Sequence, residues 1–119
     1  MDKINLQEKF ALFTEHWQPK LVGQLNDYEI RIAKIQGDFI WHSHADTAEF
    51  FMVIKGRMQM SLREKTVDLE AGDIFVVPQG IEHKPFAESE CHIMMLELAG
   101  TSNTGSIENN RTVTKLERI

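Results

Sequence analysis

His42 and His44 stand two residues apart in the stretch WHSHADTAEF, and Glu49 follows five positions after the second histidine. On an extended strand, residues i and i+2 face the same side, about 6.6 Å apart along the backbone. Two imidazoles at that spacing can converge on one point. Glu49 lies an odd number of residues beyond His44, so strict alternation would send it to the opposite face. The chain must therefore turn between them. Ala45-Asp46-Thr47 supplies a turn after which Glu49 begins the next strand and faces inward. His83, in PQGIEHKPF, is a fourth candidate. Pro78 and Gly80 end a strand, and His83 follows at a loop exit. The bland alternative is a set of unrelated surface polar residues.

Three neutral imidazoles and one carboxylate form a nitrogen and oxygen donor set. That set suits Fe, Mn, Ni, Co, Zn or Cu rather than a calcium cage. Four protein ligands around a metal preferring five or six leave positions for water or substrate, the pattern of a reactive site. Glu49 would lower the net charge of such a site. It is also the candidate catalytic residue, acting as a base.

Something must position these residues, and the rest of the chain reads as β structure. RMQMSLR alternates, with Met58, Met60 and Leu62 on one side and Arg57, Gln59, Ser61 and Arg63 on the other. That is the period of a half-buried strand. LVGQL and YEIRIAKIQ read as strands joined at Asn26-Asp27, a pair that tolerates the positive φ of tight turns. TVDL, IFVV and CHIMMLEL add further strands. FFMVI is apolar on both faces, so one face lines the interior and the other meets a second sheet or a partner chain. Near the start, NLQEKFALF predicts a short helix capped by Asn5, with Glu8 closing a capping box and Leu6, Phe10 and Phe13 on one face. Residues 100–110, GTSNTGSIENN, read as a loop, and RTVTKLERI returns as an edge segment.

The 119 residues correspond to one domain, 1–119, and 42% hydrophobic residues suffice for a core without disulfides. The formal charge is -5 and no run of Lys or Arg occurs, which argues against nucleic acid and anionic membranes as partners. The longest apolar run, Phe50 to Ile54, is far short of the roughly 20 residues of a membrane helix. Cys91 is alone, so no intrachain disulfide forms and the expected location is cytoplasmic.

The spacing of these residues resembles the two motifs of the cupin family, in its small single-domain bacterial form. The first motif, G-x5-H-x-H-x3,4-E-x6-G, is matched by Gly37, His42, His44, Glu49 and Gly56, with four residues instead of five between Gly37 and His42. The second, G-x5-P-x-G-x2-H-x3-N, is matched by Gly72, Pro78, Gly80 and His83, with Ala87 in place of the usual Asn. The motifs span residues 37–87. The resemblance implies an all-β fold, the double-stranded β-helix or jelly-roll barrel, preceded here by the short N-terminal helical segment. It implies one divalent transition metal (Fe, Mn, Ni or Zn) on His42, His44, Glu49 and His83, and a homodimer. Closure of the barrel would remove sticky sheet edges.

Other residues have plainer readings. His92 alternates with Met94 and Leu96 and reads as a core or pocket-wall histidine rather than a fifth ligand. His16 reads as surface, Cys91 as a small buried hydrophobe, and the methionines as packing rather than soft-metal ligands. Trp41 and Phe39 fall on the face opposite His42, which assigns them to the outside of the barrel or a dimer contact. Two functional classes follow. One is a metalloenzyme acting on a small organic molecule, dioxygenase-like or isomerase-like. The other is a binding or sensor module that holds a small molecule in the barrel without turnover. A phosphosugar isomerase fits less well, because the inward positions Phe51, Val53, Met58, Met60 and Leu62 offer a phosphate no cation. Lys84 and Arg31 are left to the pocket mouth.

Overall fold

In the computed structural model, which describes residues 1–119, Asn5 caps the helix as its sequence suggests. Its side-chain oxygen accepts from the backbone N–H of Glu8 at 2.9 Å, and α1 runs over Leu6–Phe10. Phe10 and Phe13 are buried with Val22 and Ile32, and Leu6 packs at the margin of that small cluster.

Strands account for most of the rest: β1 (Lys20–Leu25), β2 (Tyr28–Asp38), β3 (Glu49–Lys55), β4 (Arg57–Leu62), β5 (Thr66–Glu70), β6 (Ile74–Val77), β7 (His83–Leu98) and β8 (Glu117–Arg118). The β1–β2 hairpin turns at Asn26-Asp27, with Leu25 opposite Tyr28 and Asn26 at a φ of 55°. Asparagine tolerates that left-handed conformation better than most residues. β8 is only two residues long and lies parallel to β1.

The 16-residue strand β7 is the spine. One edge pairs with β2 from Phe86 to Leu98. The other edge is shared: β4 pairs with His83 to Phe86, and β3 pairs with His92 to Leu96. The handover takes place at Gly56, the single residue between β3 and β4. Its φ is 85°, and a Cβ there would stand 3.1 Å from the carbonyl oxygen of Glu90. Only glycine allows so close a pass of one backbone over another. β5 then extends the β4 side and β6 the β3 side, so two sheets share the bent strand β7 in the manner of a jelly roll.

Alternation places the core between these sheets. Met58 and Met60 are buried on β4, Phe51 and Val53 on β3, Cys91 and Ile93 on β7, all in one cluster. The barrel expected from the sequence is present in outline, but its hydrogen bonding does not close. β5 and β8 end the main path, and β6 pairs only with β3. On the β5 edge the exposed side chains are largely charged, which discourages further strand pairing. The outer face of β3 and β6 is different. Phe50 opposes Val76 and Leu96, Met52 opposes Ile74 and Met94, and Ile74 and Val76 are exposed.

Candidate metal centre

After Asp38 the chain leaves regular strand but keeps following β7. Phe39 N–H donates to the carbonyl of Pro85, and His42 and His83 exchange both backbone hydrogen bonds, at 3.1 and 2.9 Å. Two of the candidate ligands are thereby fixed to each other through their backbones. Gly80 N–H donates to the carbonyl of His44 at 2.9 Å, and Gln79 Nε2 to that of Ala45 at 2.7 Å. The chain bends at Ala45 and Asp46, and Glu49 opens β3 facing inward. The turn and the inward glutamate agree with the sequence reading. His83 follows the turn at Gln79-Gly80 and opens β7, at the loop exit expected. One detail differs: His42 and His44 lie between β2 and β3 and belong to no regular strand, His42 making only an isolated bridge to His83.

The four side chains meet. One ligand atom from each of His42, His44, Glu49 and His83 lies within 4.8 Å of the others. All four residues are buried, at 6% exposure or less. Glu49 Oε1 stands 3.0 Å from His83 Nε2 and 3.3 Å from His44 Nε2.

The tautomers are set from behind. Nδ1 of His42 lies 3.0 Å from the carbonyl of Ile40, and Nδ1 of His83 lies 2.9 Å from that of Ile81. A carbonyl only accepts, so each Nδ1 carries the proton. In the neutral ring Nε2 then presents a bare lone pair to the cluster. This is the orientation that outer hydrogen bonds impose on metal-binding histidines. It has a direct consequence. His83 Nε2 and Glu49 Oε1, both acceptors, face each other at 3.0 Å, while His44 Nε2 is buried with no hydrogen-bond partner. Converging lone pairs of this kind need a cation or a proton among them. The nitrogen and oxygen donor set fits a divalent transition metal.

Charge follows the same geometry. Burial, with the neighbouring His83, pushes the pKa of His42 down to about 4. Burial pushes the Glu49 carboxyl up, but the neighbouring Glu97 carboxyl and the His44 and His83 imidazoles outweigh it and hold Glu49 below the usual carboxylate range. Glu97 is driven the other way, well above that range, by burial and by the Glu49 carboxylate beside it.

Glu97 was not anticipated, although its signal was legible. Cys91, Ile93, Met95 and Glu97 alternate along β7, so a glutamate continues an inward apolar face. His92, Met94 and Leu96 alternate with them and lie on the outer face. His92 stacks on Phe10 with ring centroids 4.4 Å apart. Arg31 alternates with Ala33 and Ile35 and is likewise buried, at 4% exposure. The interior therefore does contain a cation, contrary to expectation, while Lys84 pairs with Asp38 near the surface. Arg31, Glu97, Glu49, His42, Phe39 and Phe51 help line a small, half-open pocket of about 40 Å3.

Phe39 is a second correction. It is buried in the main core, stacks on Trp17 at 4.7 Å and meets the His42 ring edge-on at 5.2 Å. Alternation from His42 fails because the chain between them is not a regular strand. Trp41 does face outward, beneath the guanidinium of Arg63. His16 is partly exposed and pairs with Glu90 at 2.7 Å. Cys91 is fully buried, as expected.

Comparison with known proteins agrees with this architecture. A cupin-2 domain containing protein from Shewanella frigidimarina NCIMB 400 superposes with a TM-score of 0.79 at 45% identity, covering 80% of this chain and 93% of that one. Protein NMB1881 from Neisseria meningitidis superposes with a TM-score of 0.76 at 26% identity, covering 82% and 100%. The uncharacterized protein YdbB of Bacillus subtilis strain 168 is 31% identical over 80 residues, and the match spans 66% of this chain and 65% of that protein's length. Residues 29–98, more than half of the chain, match the family model described as Cupin domain. With both motifs gathered around β7 and four histidine and glutamate donors converging inside, the chain belongs to the cupin family.

Proposed function

We propose that His42, His44, Glu49 and His83 hold one divalent transition metal (Fe, Mn, Ni or Zn) and that the chain, a single cupin domain over 1–119, is a metalloenzyme acting on a small organic molecule in the adjoining cavity. The observation that carries this reading is the pair of bare acceptors, His83 Nε2 and Glu49 Oε1, at 3.0 Å beside the unpartnered His44 Nε2. When bound, the metal would supply Lewis acidity or an anchor for substrate.

The chain's own residues have separable roles. His42 and His83 donate from Nδ1 to backbone carbonyls, which holds their rings in place through turnover. Glu49 carries the negative charge and is the candidate catalytic base. Glu97, beside it, can pass or hold a proton. Phe39 and Phe51 exclude water. An apolar wall of this kind suits an enol or diol, the substrates of dioxygenase-like chemistry. A phosphosugar suits it poorly, since Arg31 is already engaged by Glu29 at 2.6 Å.

A second reading is a binding or sensor module without turnover. The small size of the pocket and the deep burial of all four ligands favour it. The proposed assembly is a homodimer covering the apolar outer face around Phe50, Met52, Ile74 and Val76. The proposed location is the cytoplasm, consistent with the one free, buried cysteine.

Oxygen uptake by iron-, manganese- and nickel-loaded protein over a panel of enols and diols, with zinc-loaded protein run against isomerase substrates, separates the two readings. Metal-dependent turnover abolished by Glu49→Gln supports the enzyme. Saturable binding of the same compounds with no turnover under any metal contradicts it and leaves the binding module.

A further inference from the structure

Residues 101–114, between β7 and β8, lie against the candidate metal centre. Asn103 lines the small pocket together with His42 and Glu49, and Gly105 rests on the backbone of Ser43. The segment hydrogen-bonds chiefly to itself. Asn103 Nδ2 donates to the carbonyl of Arg111 at 2.8 Å, and its Oδ1 accepts from Val113 N–H at 2.9 Å. Thr104 is fully buried, with its hydroxyl donating to the carbonyl of Ile107 and meeting that of Thr112 at 2.7 Å. Gly105, Ile107 and Thr112 N–H groups close turns within the segment. Two side-chain hydrogen bonds tie it to the strands, both through β2. Arg31 Nη1 donates to the carbonyl of Thr101 at 3.0 Å, and Arg111 Nη2 donates to that of Asp38 at 3.2 Å. The Arg111 guanidinium also lies over the Trp17 ring, 5.5 Å from its centroid. Moving the segment as a unit breaks these few ties and keeps the internal bonds, which is the construction of a loop that opens locally.

Two spaces meet at Asn103. Inside is the pocket of about 40 Å3 beside His42 and Glu49, with room for about three water molecules. Outside is a cleft of about 450 Å3 between the segment and β2. Pro19, Arg31 and Asn103 line both, so these three side chains are the partition. Arg31 is buried and held by Glu29. Asn103 belongs to the lightly tied segment, so it is the part of the partition that can withdraw.

We infer that residues 101–114 are a lid on the metal centre, with Asn103 as its gate and Arg111 as its latch. Closed, the lid limits the pocket to molecules of a few atoms. Displaced, it joins the pocket to the outer cleft and admits a small organic molecule. This rests on the reading of His42, His44, Glu49 and His83 as a metal centre, and adds what decides the size of ligand that reaches it. The latch is the weak point by construction: Arg111 is held by one carbonyl and one aromatic face, and it acts through Asn103, which accompanies it by way of the Asn103–Arg111 hydrogen bond.

The test follows ligand entry by stopped-flow absorbance on cobalt(II)-loaded wild type, Arg111→Ala and Asn103→Ala. Azide is the small probe and 4-nitrocatechol the ring-sized one. Azide should enter all three proteins at similar rates that rise linearly with concentration, which also shows that the variants fold around an intact centre. 4-Nitrocatechol should enter wild type at a rate that levels off with concentration, because opening of the lid then limits it. Both substitutions should raise that plateau, Arg111→Ala by about tenfold, as the loss of one charged hydrogen bond implies. The quantity that decides is the rate of ring entry relative to azide entry. A ratio unchanged from wild type in both variants, including exclusion of the ring from all three proteins, would overturn the lid and leave the metal centre standing. Failure of wild type to take up cobalt would remove the metal reading and this inference with it.

Discussion

Glu97 and Glu49 are cross-strand neighbours on the inner face of β7 and β3, and although burial pushes both carboxyls up, their neighbours leave Glu49 lowered and Glu97 raised. Two carboxylates side by side in a poorly solvated interior cannot both ionise cheaply. The imidazoles of His44 and His83 decide which one does. They face Glu49, so Glu49 keeps the charge and Glu97 keeps a proton. An ionised ligand with a protonated carboxyl beside it is an arrangement that both holds a cation and stores a proton.

The pH dependence of stability follows from this pair and His42. His42 folds with its pKa lowered to about 4 from 6.5, so between those values the unfolded chain binds the extra proton and stability falls as the pH is lowered. Glu97 is raised above 4.5, so above that value the folded chain binds the extra proton and stability falls as the pH rises. In the window from about 4.5 to 6.5 the two oppose each other. Metal-free Glu97→Gln keeps only the His42 part. Its unfolding free energy should therefore fall more steeply than that of wild type on acidification from pH 7 to pH 5, by up to about 1.4 kcal/mol per pH unit, and its melting temperature with it. Parallel melting curves for the two proteins across that window would contradict the assignment.

The loop from residue 100 to 110 bears on the site through one glycine. Gly105, at a φ of 64°, packs so tightly on Ser43, between the two histidines, that a Cβ would run into the Ser43 carbonyl oxygen. Gly105→Ala must push the ligand segment or the loop away. An overpacking cost of about 1–3 kcal/mol is expected, together with weaker metal binding. Gly100→Ala is the control. It has a comparable φ of 89° but open space around it, so it should lose stability without loss of metal affinity. Equal metal affinity in both variants would show that Gly105 has no bearing on the site.

Cys91 should be inert in the folded protein. It is fully buried at the midpoint of β7, and burial pushes its thiol up to about 11. Nucleophilic attack needs the thiolate. Native protein at pH 8 should resist iodoacetamide for hours, and the same protein in guanidinium should be alkylated completely. Rapid alkylation in the native state would place the thiol in a different environment.

The legibility of this molecule in its sequence tracks regularity of the chain. Met58 and Met60 on β4, Phe51 and Val53 on β3, and the Asn26-Asp27 hairpin follow directly from alternation and turn chemistry. The four donors follow from spacing, because the bend at Ala45-Asp46 that turns Glu49 inward is forced by parity. Alternation misplaces Phe39 because residues 39–44 hydrogen-bond to β7 without forming a regular strand. Closure of the barrel was expected from motif resemblance, but pairing depends on strand lengths at the edges, and β8 is two residues long. Glu97 is missed, and Arg31 is left to the pocket mouth instead of the interior, for another reason. A charged residue on an apolar face is read as a surface residue unless its partners are known. Those partners come from strands far apart in the chain, Glu29 and Arg31 on β2 and Glu49 on β3.

The central claim is that the four converging donors hold a metal, and metal content tests it most directly. The measurement is plasma mass spectrometry on protein prepared without an affinity tag, wild type against His44→Ala. His44 suits the comparison because its Nε2 faces only Glu49 Oε1, at 3.3 Å, and Glu49 keeps His83 Nε2 at 3.0 Å when alanine replaces His44. The account predicts about one equivalent of transition metal per wild-type chain and less than about a tenth of that in the variant, with the fold retained by circular dichroism. No metal in wild type after incubation with iron, manganese, nickel and zinc salts, or equal metal in both proteins, would contradict it.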